Sequence, residues 1–288
     1  MTDIRIVTVV GAGTMGHGIA QVAAQSGRMV RLTDAIPGAA HAALGRIRSN
    51  LDGAVQRGKA TPDDRDATLA RISAYDDIAQ AARGADIVIE AIPEQIGLKQ
   101  QLIRTLDPIV PSHAILATNT SSLAIARIAD AATTPGRVVG MHFFNPVHLM
   151  KLVEVVVHDG TSERARDTVV ALAKDLGKEP IVVKDSPGFA SSRLGIALGL
   201  EAMRMLEDGV ASAEDIDKAM TLGYNHPMGP LRLTDLVGLD VRLAIATYLE
   251  QTLGSPVFRA PAILTRLVTE GKLGKKTGQG FYRWEESR

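Results

Sequence analysis

The sequence predicts an α/β domain with a mostly parallel sheet over residues 1–184, followed by an all-helical domain over residues 185–288. Short apolar runs alternate with helical stretches through the first part, which is the pattern of crossover units in a parallel sheet. Several runs are continuously apolar, as expected for strands buried on both faces. After Pro187-Gly188 only helical patterns follow, so this pair marks a predicted hinge between the two domains.

The predicted elements follow one another along the chain. Ile4–Val10 is a continuous apolar run that ends in a glycine, which is typical of a buried strand leading into a turn. The other predicted strands are Met29–Thr33, Asp86–Ala91, Ile115–Thr118, Val138–His142, Lys151–Val157 and Pro180–Lys184. The predicted helices are Met15–Ser26, Pro37–Gly58, Gly97–Leu106, Leu123–Ala129, Phe189–Asp208, Ala213–Leu222, Leu231–Leu253 and Ala260–Glu270.

Composition argues against several classes of function. Lys+Arg and Asp+Glu are both 32, so the net charge of zero gives no general attraction to nucleic acid or to an anionic membrane. The chain has no cysteine, which excludes disulfides and thiolate metal sites, and we expect no bound metal. No apolar run approaches the roughly 20 residues of a membrane span, and MTDIRIV lacks a signal-peptide pattern. We therefore expect a cytoplasmic protein.

The stretch VTVVGAGTMGHGIA places a G-x-G-x-x-G spacing between a predicted strand and a predicted helix. In this context Gly11 permits a tight turn, Gly13 lets the backbone approach a pyrophosphate, and Gly16 lets helix and strand pack closely. The N-terminus of the helix adds amide donors and a partial positive charge for the anion. This arrangement predicts a Rossmann-type dinucleotide site, with cofactor contacts from Gly11, Gly13, Thr14, Met15 and Gly16.

Asp34 follows the second predicted strand, 18 residues after Gly16. A carboxylate at about this separation accepts hydrogen bonds from the adenosine ribose hydroxyls and repels a 2′-phosphate. We therefore predict NAD rather than NADP as the cofactor. Arg28 and Arg31 lie near enough in the sequence to weaken this preference.

One carboxylate, Glu154, interrupts the otherwise apolar run LVEVVV. An unpaired charge in a buried strand is costly, so a partner is expected. His142 ends the preceding strand, 12 residues earlier, and an imidazole oriented by a carboxylate can remove a hydroxyl proton during hydride transfer. His142 is thus the candidate general base. His148 is an alternative partner, and a histidine at a strand end is often only structural.

Five stretches occur in this order along the chain: ATNTSSLAI (Ala117–Ile125), HFFNPVHLMKLVEVV, DSPGF (Asp185–Phe189), HPMGPLRLTDLVGLD (His226–Asp240) and LGKKTGQGFY (Leu273–Tyr282). With these motifs the chain resembles the 3-hydroxyacyl-CoA dehydrogenase family over nearly its whole length. It is most similar to the short, single-function 3-hydroxybutyryl-CoA dehydrogenases. The resemblance implies NAD as cofactor, an acyl-CoA substrate and a homodimer.

The resemblance also implies roles for individual residues. His142 and Glu154 would form the catalytic dyad, and Ser121 would contact the 3-hydroxyl or 3-keto oxygen of the substrate. Considered without the family, Ser121 is equally well explained as a residue that caps a loop or helix. The other implied contacts are Asn119 and Asn145 on the nicotinamide side, and Glu94 and Lys99 beside the nicotinamide ribose.

One position departs from the family pattern. Three residues after the Phe of DSPGF the family usually has Asn, whereas this chain has Ser192. A hydroxyl can donate and accept, but it is shorter than an amide and lacks its paired geometry. The departure concerns the contact with the thioester side of the substrate rather than the hydride chemistry.

The phosphates of CoA require local positive charge. The resemblance places CoA near the polar helical region after the second strand, where Lys59 is the first candidate and Ser49 and Asn50 are weaker ones. The alternative is an ordinary solvated helix face. In the second domain, Phe189–Leu206 is apolar on most faces, which predicts burial against another subunit in a two-fold dimer.

We expect NAD-dependent interconversion of an (S)-3-hydroxyacyl-CoA and its 3-ketoacyl-CoA, with the stereochemistry implied by the resemblance alone. Alternative substrates are a carrier-protein thioester, a carboxylated acyl-CoA such as 3-hydroxyadipyl-CoA, and a free β-hydroxy acid. Dehydrogenases of free β-hydroxy acids typically use a lysine of the helical domain, and the pair in HFFNP…LVEV argues against that class. An alternative from a different class is a non-catalytic sensor that keeps the cofactor fold.

Overall fold

The computed structural model describes residues 4–284, and the chain divides into two compact units, Met1–Ser186 and Pro187–Arg288. This division lies two residues beyond the predicted domain boundary at 184. Each unit has an apolar core of its own. Within the described residues, no helix has the length and apolar character needed to cross a membrane.

The first unit contains an eight-stranded sheet in the order β3-β2-β1-β4-β5-β6-β7-β8. The strands are β1 (Ile6–Val10), β2 (Met29–Thr33), β3 (Ile72–Tyr75), β4 (Ile87–Glu90), β5 (Ile115–Thr118), β6 (Val138–Phe143), β7 (Leu152–Val157) and β8 (Glu179–Lys184). All neighbouring strands are parallel except β6 and β7, which are antiparallel. The predicted fold class, a mostly parallel Rossmann-type sheet followed by helices, is confirmed.

Within the described residues, seven α-helices accompany this sheet. They are α1 (Thr14–Gln25), α2 (Ala39–Gln56), α3 (Pro62–Ala70), α4 (Ile78–Ala82), α5 (Ile96–Leu106), α6 (Ile125–Ala129) and α7 (Glu163–Asp175). The central strands are apolar throughout because both faces are covered; Val7 and Val9 of β1 and Ile87 and Ile89 of β4 are fully buried.

The strand order reverses between β1 and β4, so the carboxyl ends of these strands border a crevice where ligands bind in open α/β sheets. Because β7 runs against β6, the first residues of β7 lie at the same edge of the sheet as the last residues of β6. This edge carries the residues described below.

The second unit is helical, with α8 (Ser191–Glu207), α9 (Ala213–Gly223), α10 (Pro230–Val237), α11 (Leu239–Leu253) and α12 (Ala262–Thr269). The single helix predicted over Leu231–Leu253 was wrong, because Gly238 has φ = 107° and separates α10 from α11. The side chain of Asp235 is fully buried and accepts hydrogen bonds from the amides of Phe281 and Tyr282, both at 2.9 Å. The C-terminal Gly-rich segment is therefore held against α10.

Candidate active site

The glycine turn joins β1 to α1. Gly11 has φ = 98°, and a Cβ there would lie 2.6 Å from the carbonyl oxygen of Ala91. A Cβ on Gly16 would lie 1.6 Å from the carbonyl oxygen of Gly11. The predicted tight turn and close packing are thus confirmed at these two glycines. Gly13 differs, because a Cβ there would meet no described atom within 4 Å.

A cavity of about 700 Å³ lies over this turn, and its wall includes Gly13, Thr14, Met15 and Asp34. No side chain in the described part of the chain caps the N-terminus of α1, so its first amides are available as donors to an anion. The carboxylate of Asp34 is held at the wall by the amides of Ala12, at 2.6 Å, and Ile36, at 2.9 Å. Open space, amide donors and a carboxylate fit a dinucleotide, with the pyrophosphate at the turn and a ribose at Asp34.

The two arginines that could have weakened the preference for NAD have other partners. Arg28 forms an ion pair with Asp175, and Arg31 donates to the carbonyl oxygen of Ala81 at 3.3 Å and to that of Arg83 at 2.5 Å. The Arg28 charge is thus paired with a carboxylate, and one nitrogen of the Arg31 guanidinium is held by backbone carbonyls.

A second cavity, of about 330 Å³, adjoins the first, because both are lined by Met15, Ala91 and Ile92. The structure brings together here most of the residues assigned to the chemistry. The polar part of the wall is formed by Glu94, Asn119, Ser121, His142 and Asn145.

His142 and Glu154 occupy directly opposite positions on β6 and β7. The Nδ1 atom of His142 lies 2.8 Å from the Oε2 atom of Glu154, and the Glu154 side chain is fully buried. The His142 ring also packs against Phe144, with ring centroids 4.5 Å apart. The partner expected for Glu154 is therefore His142 rather than His148. A buried carboxylate in this position fixes the tautomer and the orientation of the imidazole ring.

Asn119 follows β5, and its side-chain oxygen accepts a hydrogen bond from the amide of Phe143 at 2.8 Å. This contact ties the end of β5 to the residue after His142. Asn145 lies two residues further on, is exposed, and contributes to the same cavity wall.

Glu94 and Lys99, assigned to the nicotinamide ribose, differ in position. Glu94 lines the second cavity, whereas Lys99 is only 1% exposed. The Lys99 ammonium donates to both carboxylate oxygens of Glu90, at 2.8 and 2.9 Å, and lies 3.5 Å from Glu94. Lys99 is thus placed behind the cavity wall, next to Glu94.

The residues assigned to the CoA and thioester contacts are more dispersed. Ser49 and Lys59 are exposed, and the Asn50 side-chain amide donates to Gln21 of α1 at 3.1 Å. Ser192 lies in the first turn of α8, in the second unit, and is half-buried. Their roles stay predictions.

Comparison with known proteins extends this description. The model of the 3-hydroxyacyl-CoA dehydrogenase NAD binding domain matches residues 6–186, and that of the C-terminal domain matches residues 188–284. The chain belongs to the 3-hydroxyacyl-CoA dehydrogenase family.

Individual members of the family are similar over their full length. A probable 3-hydroxybutyryl-CoA dehydrogenase of Bacillus subtilis is 46% identical over 284 residues, covering 99% of both chains. A 3-hydroxybutyryl-CoA dehydrogenase of Clostridioides difficile is 42% identical over 283 residues, covering 97% of this chain and 99% of the relative. The crystal structure of (S)-3-hydroxybutyryl-CoA dehydrogenase from Ralstonia eutropha is 41% identical, with a TM-score of 0.95, and covers 99% and 100% of the two chains.

Two residues that support this site of the dehydrogenase were not predicted to do so. The first is Glu90, a buried carboxylate that ends β4 and pairs with Lys99. The run DIVIEA carries the same signal as LVEVVV, a lone carboxylate in an apolar strand, and that signal could have identified it. The second is Arg46 of α2, which donates to the carbonyl oxygen of Ala12 at 2.6 Å and so anchors the glycine turn.

A cationic group of residues lies beside the loop that follows β6. Burial lowers the pKa of His148, and the positive charges of His17, Lys178 and Arg57 lower it further. Helix α1 approaches this loop closely, since a Cβ on Gly18 would clash with the Val147 side chain at 2.8 Å. We call His17, Arg57, His148 and Lys178 the cationic cluster.

Proposed function

We propose that this chain interconverts an (S)-3-hydroxyacyl-CoA, of the 3-hydroxybutyryl-CoA type, and the corresponding 3-ketoacyl-CoA with NAD. The observation that carries the proposal is the contact of 2.8 Å between His142 and the buried Glu154, beside a cavity that adjoins the dinucleotide turn. A hydride-transfer site needs such a base next to the cofactor.

The dinucleotide would be held by the turn from Gly11 to Gly16 and by Asp34. When bound, NAD accepts the hydride from the 3-carbon of the substrate, and NADH supplies it in the opposite direction. His142 takes the proton of the 3-hydroxyl group during oxidation and returns it during reduction. Because its Nδ1 faces Glu154, Nε2 is the atom that exchanges this proton, and the carboxylate stabilises the imidazolium.

Other residues orient the substrate. Ser121 lines the same cavity as His142, which supports a contact between its hydroxyl and the 3-oxygen. Asn145 and Asn119 are proposed on the nicotinamide side. Ser192 is proposed to contact the thioester region with a single hydroxyl, where the family usually has an amide.

The cationic cluster supports a CoA thioester rather than a free acid. CoA carries a 3′-phosphate and a pyrophosphate, and grouped cations attract such anions. Arg57 belongs to this cluster and is exposed, so we propose it beside Lys59 as a candidate for a phosphate contact. Exchange of Arg57 for Ala should raise the KM of acetoacetyl-CoA about tenfold but leave that of a pantetheine thioester unchanged. Equal effects on the two KM values would show that Arg57 does not contact the phosphates. Lys59→Ala is the matched variant and is measured with the same two substrates.

A homodimer is proposed from the second unit. Leu194 and Leu198 lie one turn apart on α8 and are 71% and 36% exposed, while α10 and α11 expose Leu236, Val237 and Val241. Apolar side chains concentrated on neighbouring helices indicate a surface that another chain covers, and a second copy is the commonest partner. Leu194→Glu should shift the sedimentation coefficient from that of a dimer to that of a monomer, whereas Leu149→Glu on the first unit should not.

The cytoplasm is the proposed location of the protein.

The reaction is tested by NADH oxidation with acetoacetyl-CoA, with NADPH as a parallel cofactor. Turnover with NADH is expected, and the reverse assay should accept (S)- but not (R)-3-hydroxybutyryl-CoA. Parallel assays with 3-hydroxyadipyl-CoA, a carrier-protein thioester and free 3-hydroxybutyrate separate the alternatives. Faster turnover of any of these than of 3-hydroxybutyryl-CoA would replace the proposed substrate, and binding of NAD without any turnover would favour a sensor.

A further inference from the structure

A buried ion pair lies directly behind the wall of the second cavity. Glu90 and Lys99 are each 1% exposed, and the Glu90 carboxylate also accepts hydrogen bonds from the Thr118 hydroxyl and from the Ile92 amide at 3.1 Å. The Lys99 ammonium donates to the Ile92 carbonyl oxygen at 3.3 Å. Since Lys99 has at most three protons to donate, its contacts are made within this network.

Glu94 connects this pair to the segment before α6. Its Oε2 atom lies 3.5 Å from the Lys99 ammonium. Its Oε1 atom accepts hydrogen bonds from the Thr120 hydroxyl at 2.6 Å and from the amide and hydroxyl of Ser121 at 2.8 and 3.2 Å. The amide and hydroxyl of Ser122 also lie within hydrogen-bond distance of this Oε1 atom, at 3.2 and 3.3 Å. One carboxylate oxygen therefore faces the donors of three consecutive residues, which compete for its lone pairs.

These three residues have no regular secondary structure of their own, because β5 ends at Thr118 and α6 begins at Ile125. Burial alone would raise the pKa of Glu94, but Lys99 and the hydrogen bonds from Thr120 and Ser121 outweigh it and lower the pKa. Glu94 is therefore ionised at neutral pH, and its hydrogen bonds to the segment are charge-assisted.

We propose that Glu94, held by the Lys99–Glu90 pair, is a positioning residue that orients Ser121 toward the reacting oxygen. This inference rests on the proposed function in one respect, the contact between the Ser121 hydroxyl and the 3-oxygen of the substrate. Lys99 and Glu90 act through Glu94. Both are buried behind the cavity wall.

The kinetic test combines Glu94→Ala and the conservative Glu94→Gln with Ser121→Ala. Charge-assisted hydrogen bonds are worth enough that Glu94→Ala should lower kcat/KM for acetoacetyl-CoA about 100-fold. Glu94→Gln, which keeps an acceptor oxygen, should lower it about tenfold. Because Glu94 is also assigned to the nicotinamide ribose, the KM for NADH is measured in parallel, and a fall in kcat at saturating NADH is the result expected of a positioning residue. In the Ser121→Ala background the Glu94 substitutions should have little further effect.

Two results would overturn the inference. A raised KM for NADH with unchanged kcat would make Glu94 a cofactor contact, and equal losses in both backgrounds would show that Glu94 does not act through Ser121. A control double variant separates positioning from a general loss of structure. Glu90→Gln/Lys99→Met removes the ion pair behind the cavity, and it is compared with Asp107→Asn/Arg137→Met. The latter removes another buried ion pair of the first unit that lies outside the two cavities.

A second readout does not depend on turnover. Amide hydrogen exchange of Ser121 and Ser122 should become faster in Glu90→Gln/Lys99→Met and remain unchanged in the Asp107/Arg137 control pair. Unchanged exchange in the first pair would refute the positioning role even in an active enzyme. Exchange could become faster in the variant while the protein itself does not turn over acetoacetyl-CoA. That result would refute the proposed function, but the coupling between Lys99 and this segment would still hold.

Discussion

His142 and Glu154 face each other across the one antiparallel pairing of the eight-stranded sheet, with Nδ1 and Oε2 2.8 Å apart. The reversal between β6 and β7 brings the third residue of β7 to the cavity edge where β6 ends. A continued parallel sheet would have placed the amino end of β7 at the opposite edge. The antiparallel pairing of β6 and β7 therefore places the buried carboxylate of Glu154 next to His142.

The glycines of the turn predict two different mutational outcomes. Gly16→Ala should destabilise the protein by about 3 kcal/mol or more, because its Cβ would overlap the Gly11 carbonyl oxygen at 1.6 Å. Gly13→Ala should leave the melting temperature almost unchanged but raise the KM for NADH about tenfold, because its methyl group enters the space over the turn. Thermal unfolding and NADH kinetics check both. A Gly13→Ala enzyme with normal NADH affinity would place the pyrophosphate elsewhere.

Asp34 should control the choice between NADH and NADPH. Asp34→Asn keeps a side-chain oxygen for the Ala12 amide but removes the charge that repels a 2′-phosphate. We expect the ratio of kcat/KM for NADH to that for NADPH to fall about tenfold or more. An unchanged ratio would mean that another group selects the cofactor.

The cationic cluster should make CoA binding dependent on pH. Burial and the charges of His17, Lys178 and Arg57 lower the pKa of His148, and a bound phosphate would raise it again. Binding then takes up a proton, so affinity for the CoA thioester should increase as the pH falls from neutral into the acid range. The quantity to measure is the KM of acetoacetyl-CoA divided by that of the pantetheine thioester.

In His148→Gln this ratio should vary less with pH than in the wild type. His113→Gln is the control, since His113 is exposed and its Nε2 lies 3.5 Å from Asp86. The same pH profile in His148→Gln and the wild type would separate His148 from the phosphates.

In the second unit, Asp235 should be a major source of stability. Its carboxylate accepts the Phe281 and Tyr282 amides and the Trp284 indole N–H, all at 2.9 Å. Asp235→Asn turns one acceptor into a donor that faces a donor, so a loss of about 3 kcal/mol in unfolding free energy is expected. Chemical denaturation should show it, and Asp208→Asn, at an exposed position, should have little effect. Equal stability of the two variants would contradict this role.

Much of the fold could be predicted because the central strands are continuous apolar runs, and β2 and β5 have the predicted bounds. β3 was missed because its four residues, ISAY, include only one buried side chain at the sheet edge. α3, α4 and α7 were also not predicted; α3 follows a capping box between Thr61 and Asp64 that the sequence does show.

The candidate site was predictable where a single residue broke a strong pattern, as Glu154 does in β7. Glu90 breaks the apolar pattern of β4 in the same way, and its partner Lys99 lies nine residues away on a helix. The cationic cluster could not be predicted, because it draws on α1, the end of α2, the loop after β6 and the residue before β8. Only tertiary structure brings such segments together.

The central claim is tested most directly by the turnover number for NADH-dependent reduction of acetoacetyl-CoA in His142→Gln, Glu154→Gln and the double variant. Because Glu154 acts through His142, each single substitution should lower kcat by about 10³-fold or more, and the double variant should be no slower than the slower single one. Losses that multiply in the double variant, or a folded Glu154→Gln enzyme with normal turnover, would contradict the account.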